Sequence, residues 1–140
     1  MRIIKHGTYV SLPYTLRKEI QHYIVNDKLH SQTLEPYSSI EGQVTTIETT
    51  CTCSDHYKIN DKLCKERDLQ FWASTRVWWN KFDLNEWHWV TAKNLEVGDF
   101  LLTDHGKAER IDKLEYLDVV LEGCALTSDS NFFAGGYLVK

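Results

Sequence analysis

The sequence has no apolar run long enough to cross a bilayer, no basic excess, no internal repeat and no low-complexity tract, and only two prolines. Each absence removes a class of function. With 16 Lys and Arg against 20 Asp and Glu, the net charge of -4 argues against a surface built to coat nucleic acid, so no nucleic-acid partner is expected. Met1-Arg2-Ile3-Ile4-Lys5 runs into His6-Gly7-Thr8 rather than an apolar stretch, so neither a signal peptide nor a membrane partner is expected. The chain reads as soluble and cytoplasmic. Its 140 residues make one domain by length, over 1–140.

What is present is cysteine, tryptophan and many short β-like pieces. The four cysteines (Cys51, Cys53, Cys64, Cys124) are even in number, but a cytosolic chain with a core of this size needs no disulfide framework, and reduced thiols are expected. All five tryptophans lie between Trp72 and Trp89, four of them inside a Trp-rich insert over 60–88, and their large rings suit core or interface packing.

Arg2 to Val10 has strand character and Pro13 breaks it. Thr15 as N-cap, with Leu16, Ile20, Tyr23 and Ile24 at i, i+4, i+7 and i+8, predicts a short helix ending near Asn26-Asp27. Ser31 to Gly42, with Pro36 and a Ser-Ser pair, reads as loop. Gln43 to Thr50 alternates, and with Cys51 to Ile59 it predicts a hairpin or bent strand pair. Asn60 to Ala73, with Leu63, Arg67 and Phe71 spaced at four, predicts a helix capped by Asn60. Short extended pieces follow at 87–91, 99–103, 108–114, 116–121, 124–127, 132–134 and 137–139, with turns at Gly98-Asp99, Asp104-His105-Gly106 and Gly135-Gly136. Many short strands with frequent turns indicate an all-β fold.

Three motifs carry a resemblance: Cys53-Ser54-Asp55-His56, the turn in Ala92-Lys93-Asn94-Leu95-Glu96-Val97-Gly98-Asp99, and the ending Asn131-Phe132-Phe133-Ala134-Gly135-Gly136-Tyr137-Leu138-Val139-Lys140. Through them the chain resembles an intein of the Hint (hedgehog/intein) superfamily, over Gln43 to Lys140 and only loosely over Met1 to Gly42. The resemblance implies a horseshoe-shaped all-β Hint fold with one or two short helices, in the mini-intein form that lacks a homing endonuclease. It also implies protein splicing, a single-turnover autocatalytic cleavage and ligation of flanking extein segments by acyl shift and Asn cyclisation, without a cofactor. The reaction would run in cis, or in trans with a short complementary fragment if the domain is split.

Such chemistry needs a nucleophile beside the bond, a proton donor for the departing amide and hydrogen bonds for the oxyanion. By resemblance to the family's Thr-x-x-His motif, His56 is the proton donor, and Cys53 stands where Thr would bond the substrate carbonyl. Cys124 falls where inteins carry an Asp or Cys that couples the two cleavages, or in one class attacks the upstream bond directly. Lys58 replaces the Trp of that class. At the upstream junction position Met1 has no nucleophilic side chain, so either it replaces a native nucleophile or the nucleophile sits on another chain. Lys140 occupies the penultimate His position and Ser130 that of another assisting His; both departures would slow cyclisation of an Asn that this chain lacks.

Other readings remain beside this one. Cys51-x-Cys53-x-x-His56 with Cys64 is a ligand set zinc accepts, although the spacing is not that of a finger, and no metal is expected. A β-rich binding module using exposed tryptophans is a second, since large apolar patches mark interfaces. Hedgehog-type autoprocessing is a third. Glu115, Asp118 and Glu122 read as solvated charges alternating with Leu117, Val119 and Leu121.

Overall fold

The computed structural model describes residues 3–14, 16–34, 37–74 and 87–140. Strands β1 (Ile3–Lys5), β2 (Tyr9–Ser11) and β3 (Arg17–Glu19) precede β4 (Lys28–Leu34) and a long β5 (Tyr37–Cys53). Next come β6 (His56–Ile59), β7 (Leu63–Glu66), β8 (Gln70–Ser74), β9 (His88–Thr91) and β10 (Phe100–Leu102). The chain continues through β11 (Ala108–Arg110), β12 (Leu114–Leu117), β13 (Leu121–Ser128), β14 (Phe132–Ala134) and β15 (Tyr137–Val139). Among the described residues they form two antiparallel sheets, ordered β12-β6-β7-β1-β13-β5-β4 and β11-β10-β8-β15-β14-β2-β3, with β9 on β8.

The main core lies between these sheets, where Ile4, Val10, Phe71, Leu101, Tyr137 and Val139 are buried. Removing each such side chain from water contributes about 1.5–3 kcal/mol. The first strand is interior rather than peripheral. It pairs with β13 (Ile3↔Ala125, Ile4↔Cys124, Lys5↔Gly123) and with β7 (Ile4↔Lys65). Strand β5 serves two partners, its first half pairing β4 from Lys28↔Gln43 to Leu34↔Tyr37 and its second half pairing β13 down to Leu121↔Cys53.

The all-β expectation holds, but several local expectations do not. The strand expected over Arg2 to Val10 is two strands in different sheets, because Gly7 takes φ 85° and turns the chain. The helix expected from Thr15 is absent from the described residues, which exclude Thr15 itself; Arg17–Glu19 is strand β3 and only Ile20–His22 makes a 3-10 turn. Leu16 and Ile24 are exposed while Ile20 and Tyr23 are buried, so those four positions do not share one face. Asp27 Oδ2 accepts the Ile24 N–H at 2.9 Å and Lys18 Nζ at 2.7 Å, and Asn26 is left-handed at φ 75°, a local arrangement that competes with a helix.

The loop expected over Ser31 to Gly42 is instead the β4–β5 hairpin. Its strands are rich in Ser, Thr and Gln, which carry little hydrophobic signal, and among its described residues only Leu29, Ser31 and Gly42 are buried. The extended pair expected over Gln43 to Ile59 is present, with the break at Ser54–Asp55.

The helix expected over Asn60 to Ala73 is strands β7 and β8. Asn60 and Asp61 both take positive φ, 49° and 57°, and Lys62 N–H bonds Ile59 O at 2.9 Å, which makes a tight hairpin turn of the type that matches strand twist. Asn60 then anchors the next segment: Oδ1 accepts from Asp112 N (2.8 Å) and Lys113 N (3.0 Å), and Nδ2 donates to Arg110 O (3.0 Å) and Tyr137 Oη (3.2 Å). Asn60→Ala removes those bonds and leaves a side chain ill suited to φ 49°. The expected loss is about 2–4 kcal/mol by denaturant unfolding.

Of the expected solvated charges, Asp118 and Glu122 are exposed, and Glu115 is partly covered by an ion pair with Lys113 at 3.0 Å. Val119 is itself 60% exposed, so the alternation fails outside the strands.

Candidate functional site

The face that gathers the candidate residues follows from strand register. Residues directly opposite across paired strands share a face, and neighbours along a strand alternate. Leu117, His56 and Glu66 lie opposite one another across β12, β6 and β7. Beyond β7 the row continues in β1 with Ile3, whose neighbour Ile4 opposes Lys65, and then through Ala125 in β13 to Glu48 in β5. The opposite face carries Ile4 and Cys124 into the main core.

His56 is 1% exposed, and its Nδ1 has no hydrogen-bond partner among the described residues. Burial, opposed by the charge of Asp55 and reinforced by those of Lys65 and Lys5, holds its pKa below the usual histidine value. A neutral imidazole with a bare ring nitrogen inside a protein is costly unless something visits it. Lys65 is fully buried on the neighbouring strand, its Nζ 5.3 Å from the ring centres of both Tyr57 and Phe71.

Cys53 is half-buried and lines a cavity of about 490 Å³ with Ile3, Thr52, Asp55, Arg67 and Asp68. The Arg67–Asp55 ion pair, 3.0 Å, closes part of its rim. Strand β1 therefore presents Ile3 to the cavity that Cys53 and the residues before His56 form. Met1 lies outside the described residues.

Cys124 is 0% exposed, and burial with the nearby Cys51 pushes its thiol up to about 11. It sits at an irregularity: the pairing of β13 with β5 shifts between Gly123 and Ala125, so Cys124 has no β5 partner while Gly123 opposes Cys51 and Ala125 opposes Glu48. The extra residue lies in β5, where Thr49 and Thr50 stand against Cys124 alone, and it brings Glu48 opposite Ala125, while β13 alternates regularly against β1. Here Ala125 meets Ile3 and Cys51 on the cavity side, while Cys124 turns inward.

Lys140 closes on the same region from the other sheet. Its N–H bonds Gln70 O at 2.9 Å and its carbonyl accepts Gln70 N–H at 3.4 Å, directly after the segment that holds Arg67 and Asp68. Its Nζ lies 5.2 Å from the Trp89 ring centre, and Trp89 tilts against Trp72 at 5.3 Å. Lys140 and Ser130 line a cleft of about 700 Å³ together with Glu48, Trp89, Thr127 and Asp129. Ser130 Oγ donates toward Asp129 Oδ1 and Asn131 O, both at 3.3 Å, while Asn131 clasps β4 through Ser31 Oγ (2.7 Å), Gln32 N (3.0 Å) and Gln32 O (3.0 Å).

The zinc set is not assembled among the described residues, where no group of three His, Cys, Asp or Glu side chains converges as metal ligands would. The Cys64 side chain lies outside the described set. Cys51 donates weakly to Glu48 O (3.7 Å) and Glu48 Oε2 (3.9 Å). Among the described residues, Trp72, Trp87 and Trp89 are half-buried against Leu102, Phe133 and Leu138, so these three rings form no exposed tryptophan surface. Residues 75–86 of the Trp-rich insert, with Trp78 and Trp79, lie outside the described residues. Among the described residues no helix is long and apolar enough to cross a membrane.

Motif reasoning singled out His56, Cys53, Cys124, Ser130 and Lys140 but passed over Glu48. Its signal was present: Glu48 is the one charged residue between Gly42 and Ser54.

No protein-family model matches the sequence, and a search among curated proteins gives no match. Solved structures do match. A bacterial intein-like domain from Clostridium thermocellum superposes with a TM-score of 0.73 at 20% identity, over 99% of this chain and 97% of that one. A gp41-1 intein carrying three substitutions gives 0.73 at 20% identity, over 99% and 98%. A DnaB intein from Synechocystis sp. PCC 6803 gives 0.71 at 15% identity, over 99% and 97%. The chain has the intein, or Hint, fold, and nothing within it is left over for an endonuclease domain.

Proposed function

We propose that the chain is a self-processing domain of the intein type, which cleaves the peptide bonds flanking it and joins the flanking segments. The observation that carries this reading is the buried Nδ1 of His56, without a partner among the described residues, in the strand row that contains Ile3, on a fold whose last strand ends beside the same segment. A junction upstream of β1 would then meet a neutral imidazole held in place. There His56 would hold the proton that the departing amide nitrogen takes up, with Cys53 lining the same cavity. Bringing both junctions to one region converts two remote cleavages into one intramolecular sequence. The partners on this reading are the flanking segments themselves, or a complementary fragment if the domain is split.

Cys124 has a different place in this scheme. A thiol that is fully buried and pushed up to about 11 is a poor nucleophile at neutral pH, and it faces the core. The upstream nucleophile is therefore assigned to the first position of the domain, where Met1 offers none.

The test is a precursor with foreign proteins on both sides, with Asn and then Cys appended directly after Lys140, and with Met or Cys at position 1. Mass spectrometry should show ligated product with Cys at position 1 and none with Met1, and Cys124→Ala should leave the former intact. Ligation with Met1 that disappears in Cys124→Ala would transfer the attack to Cys124. Inertness at both junctions in every form would refute the splicing reading.

A further inference from the structure

The cleft that Lys140 lines contains three ionisable side chains, Glu48, Asp129 and Lys140, and two of them are already engaged. Asp129 Oδ1 accepts Gln43 N–H at 2.9 Å and faces Ser130 Oγ at 3.3 Å, and Lys140 Nζ sits over Trp89 at 5.2 Å. Among the described residues, Glu48 is tethered through the weak thiol contact from Cys51, 3.9 Å to Oε2. Its placement is imposed by the fold: it opposes Ala125 beside the shift in the β5–β13 ladder, and Ala125 opposes Ile3 on the same face.

We propose that Glu48 is the proton-transfer residue of the downstream junction, the role for which neither Ser130 nor Lys140 offers an imidazole. The inference rests on the splicing reading above and deepens it. For an Asn placed directly after Lys140, the side-chain amide nitrogen attacks its own backbone carbonyl carbon, forming a C–N bond. The peptide C–N bond to the next residue breaks. The Glu48 carboxylate accepts a proton from the attacking amide and returns one to the departing amine, so a succinimide and a free α-amine result and the carboxylate is regenerated. The acceptor must lie within reach of both nitrogens, and Glu48 lines the same cleft as Lys140, the residue before the appended Asn.

The experiment uses the precursor carrying Asn and Cys after Lys140 and Cys at position 1, and follows upstream thiol-induced cleavage and downstream cleavage separately. Glu48→Gln keeps the shape and removes the base. Downstream cleavage should fall by roughly 10²-fold or more, the usual size of a general acid–base contribution, while upstream cleavage stays as it is. Glu48→Asp should recover part of the rate. Glu122→Gln, an exposed carboxylate in the neighbouring strand, should leave both cleavages as they are. An unchanged downstream rate in Glu48→Gln overturns the assignment even where splicing proceeds. Equal loss at both junctions also overturns it, since it marks a general structural role. A parent precursor inert at both junctions removes the splicing reading and this assignment together; one that cleaves only upstream removes this assignment alone.

Discussion

Replacing His56 by Ala should slow thiol-induced cleavage at the upstream junction by roughly 10²–10⁴-fold, with the protein still folded. The imidazole is interior, and its Nδ1 has no partner among the described residues. A structural histidine would have spent that nitrogen on the protein; one reserved for a visiting amide would not. The measurement is single-turnover cleavage of the precursor, with circular dichroism as the control for folding. A rate within a few-fold of the parent would sink the role. The same residue sets a pH dependence of stability with a definite sign. Its folded pKa lies below the ordinary value of 6.5, so the unfolded chain binds the proton more tightly than the folded one. Stability from this site is complete above about 6.5 and falls as pH drops from there toward the lowered folded value. His30, also held low by burial, acts in the same direction. His56→Gln should flatten that part of the acid limb in denaturant titrations.

The second large effect belongs to Gly123. A Cβ built there would lie 2.2 Å from Ile4 O and 2.7 Å from Ile4 C, both backbone atoms of β1, and 2.8 Å from Ile3 Cγ2. Backbone in the middle of a sheet cannot swing aside as a side-chain tip can. Gly123→Ala should therefore cost about 3 kcal/mol or more, at the upper end for overpacking, because it drives β1 off β13. Displacing β1 also withdraws Ile3 from its cavity, so upstream cleavage should be lost along with stability. Urea unfolding measures the first consequence and the precursor the second. A variant as stable as the parent would mean that the two strands can separate without loss.

The contrast between these two residues shows what the sequence made legible. The Cys53-x-x-His56 spacing and the ending Phe133 to Lys140 survive as local patterns, because they sit where strands turn or stop, and Gly98, Gly106, Gly135 and Gly136 mark turns that the structure reproduces at positive φ. The two expected helices were misread for one reason. Spacings of four over Leu16 to Ile24 and Leu63 to Phe71 arise by chance in short apolar-poor segments, whereas the deciding information was a pair of left-handed residues, Asn60 and Asp61, and a side-chain bond from Asp27. The β4–β5 hairpin was hidden because its strands are mostly polar. Glu48 was hidden for a deeper reason: which residues face the cavity depends on an irregular ladder at Gly123–Ala125, and no period-2 count crosses such a shift correctly. Cys124 and Ala125 keep a regular register against β1, and the one extra residue in β5, at Thr49–Thr50, is what brings Glu48 opposite Ala125.

The interior position of β1 also has a consequence for timing during synthesis. Its partners are Lys65 in β7 and the segment Gly123 to Ala125, so β1 must wait for a strand made much later in synthesis before its pairing is complete. Contacts so far apart in sequence form slowly, after the intervening chain has been made. On the splicing reading, the first cut would then be withheld until the segment beyond Lys140 is already being translated. A nascent precursor stalled before β13 should keep its upstream bond intact however long it is held, because the delay is written into the order of the strands rather than into the reactivity of any side chain.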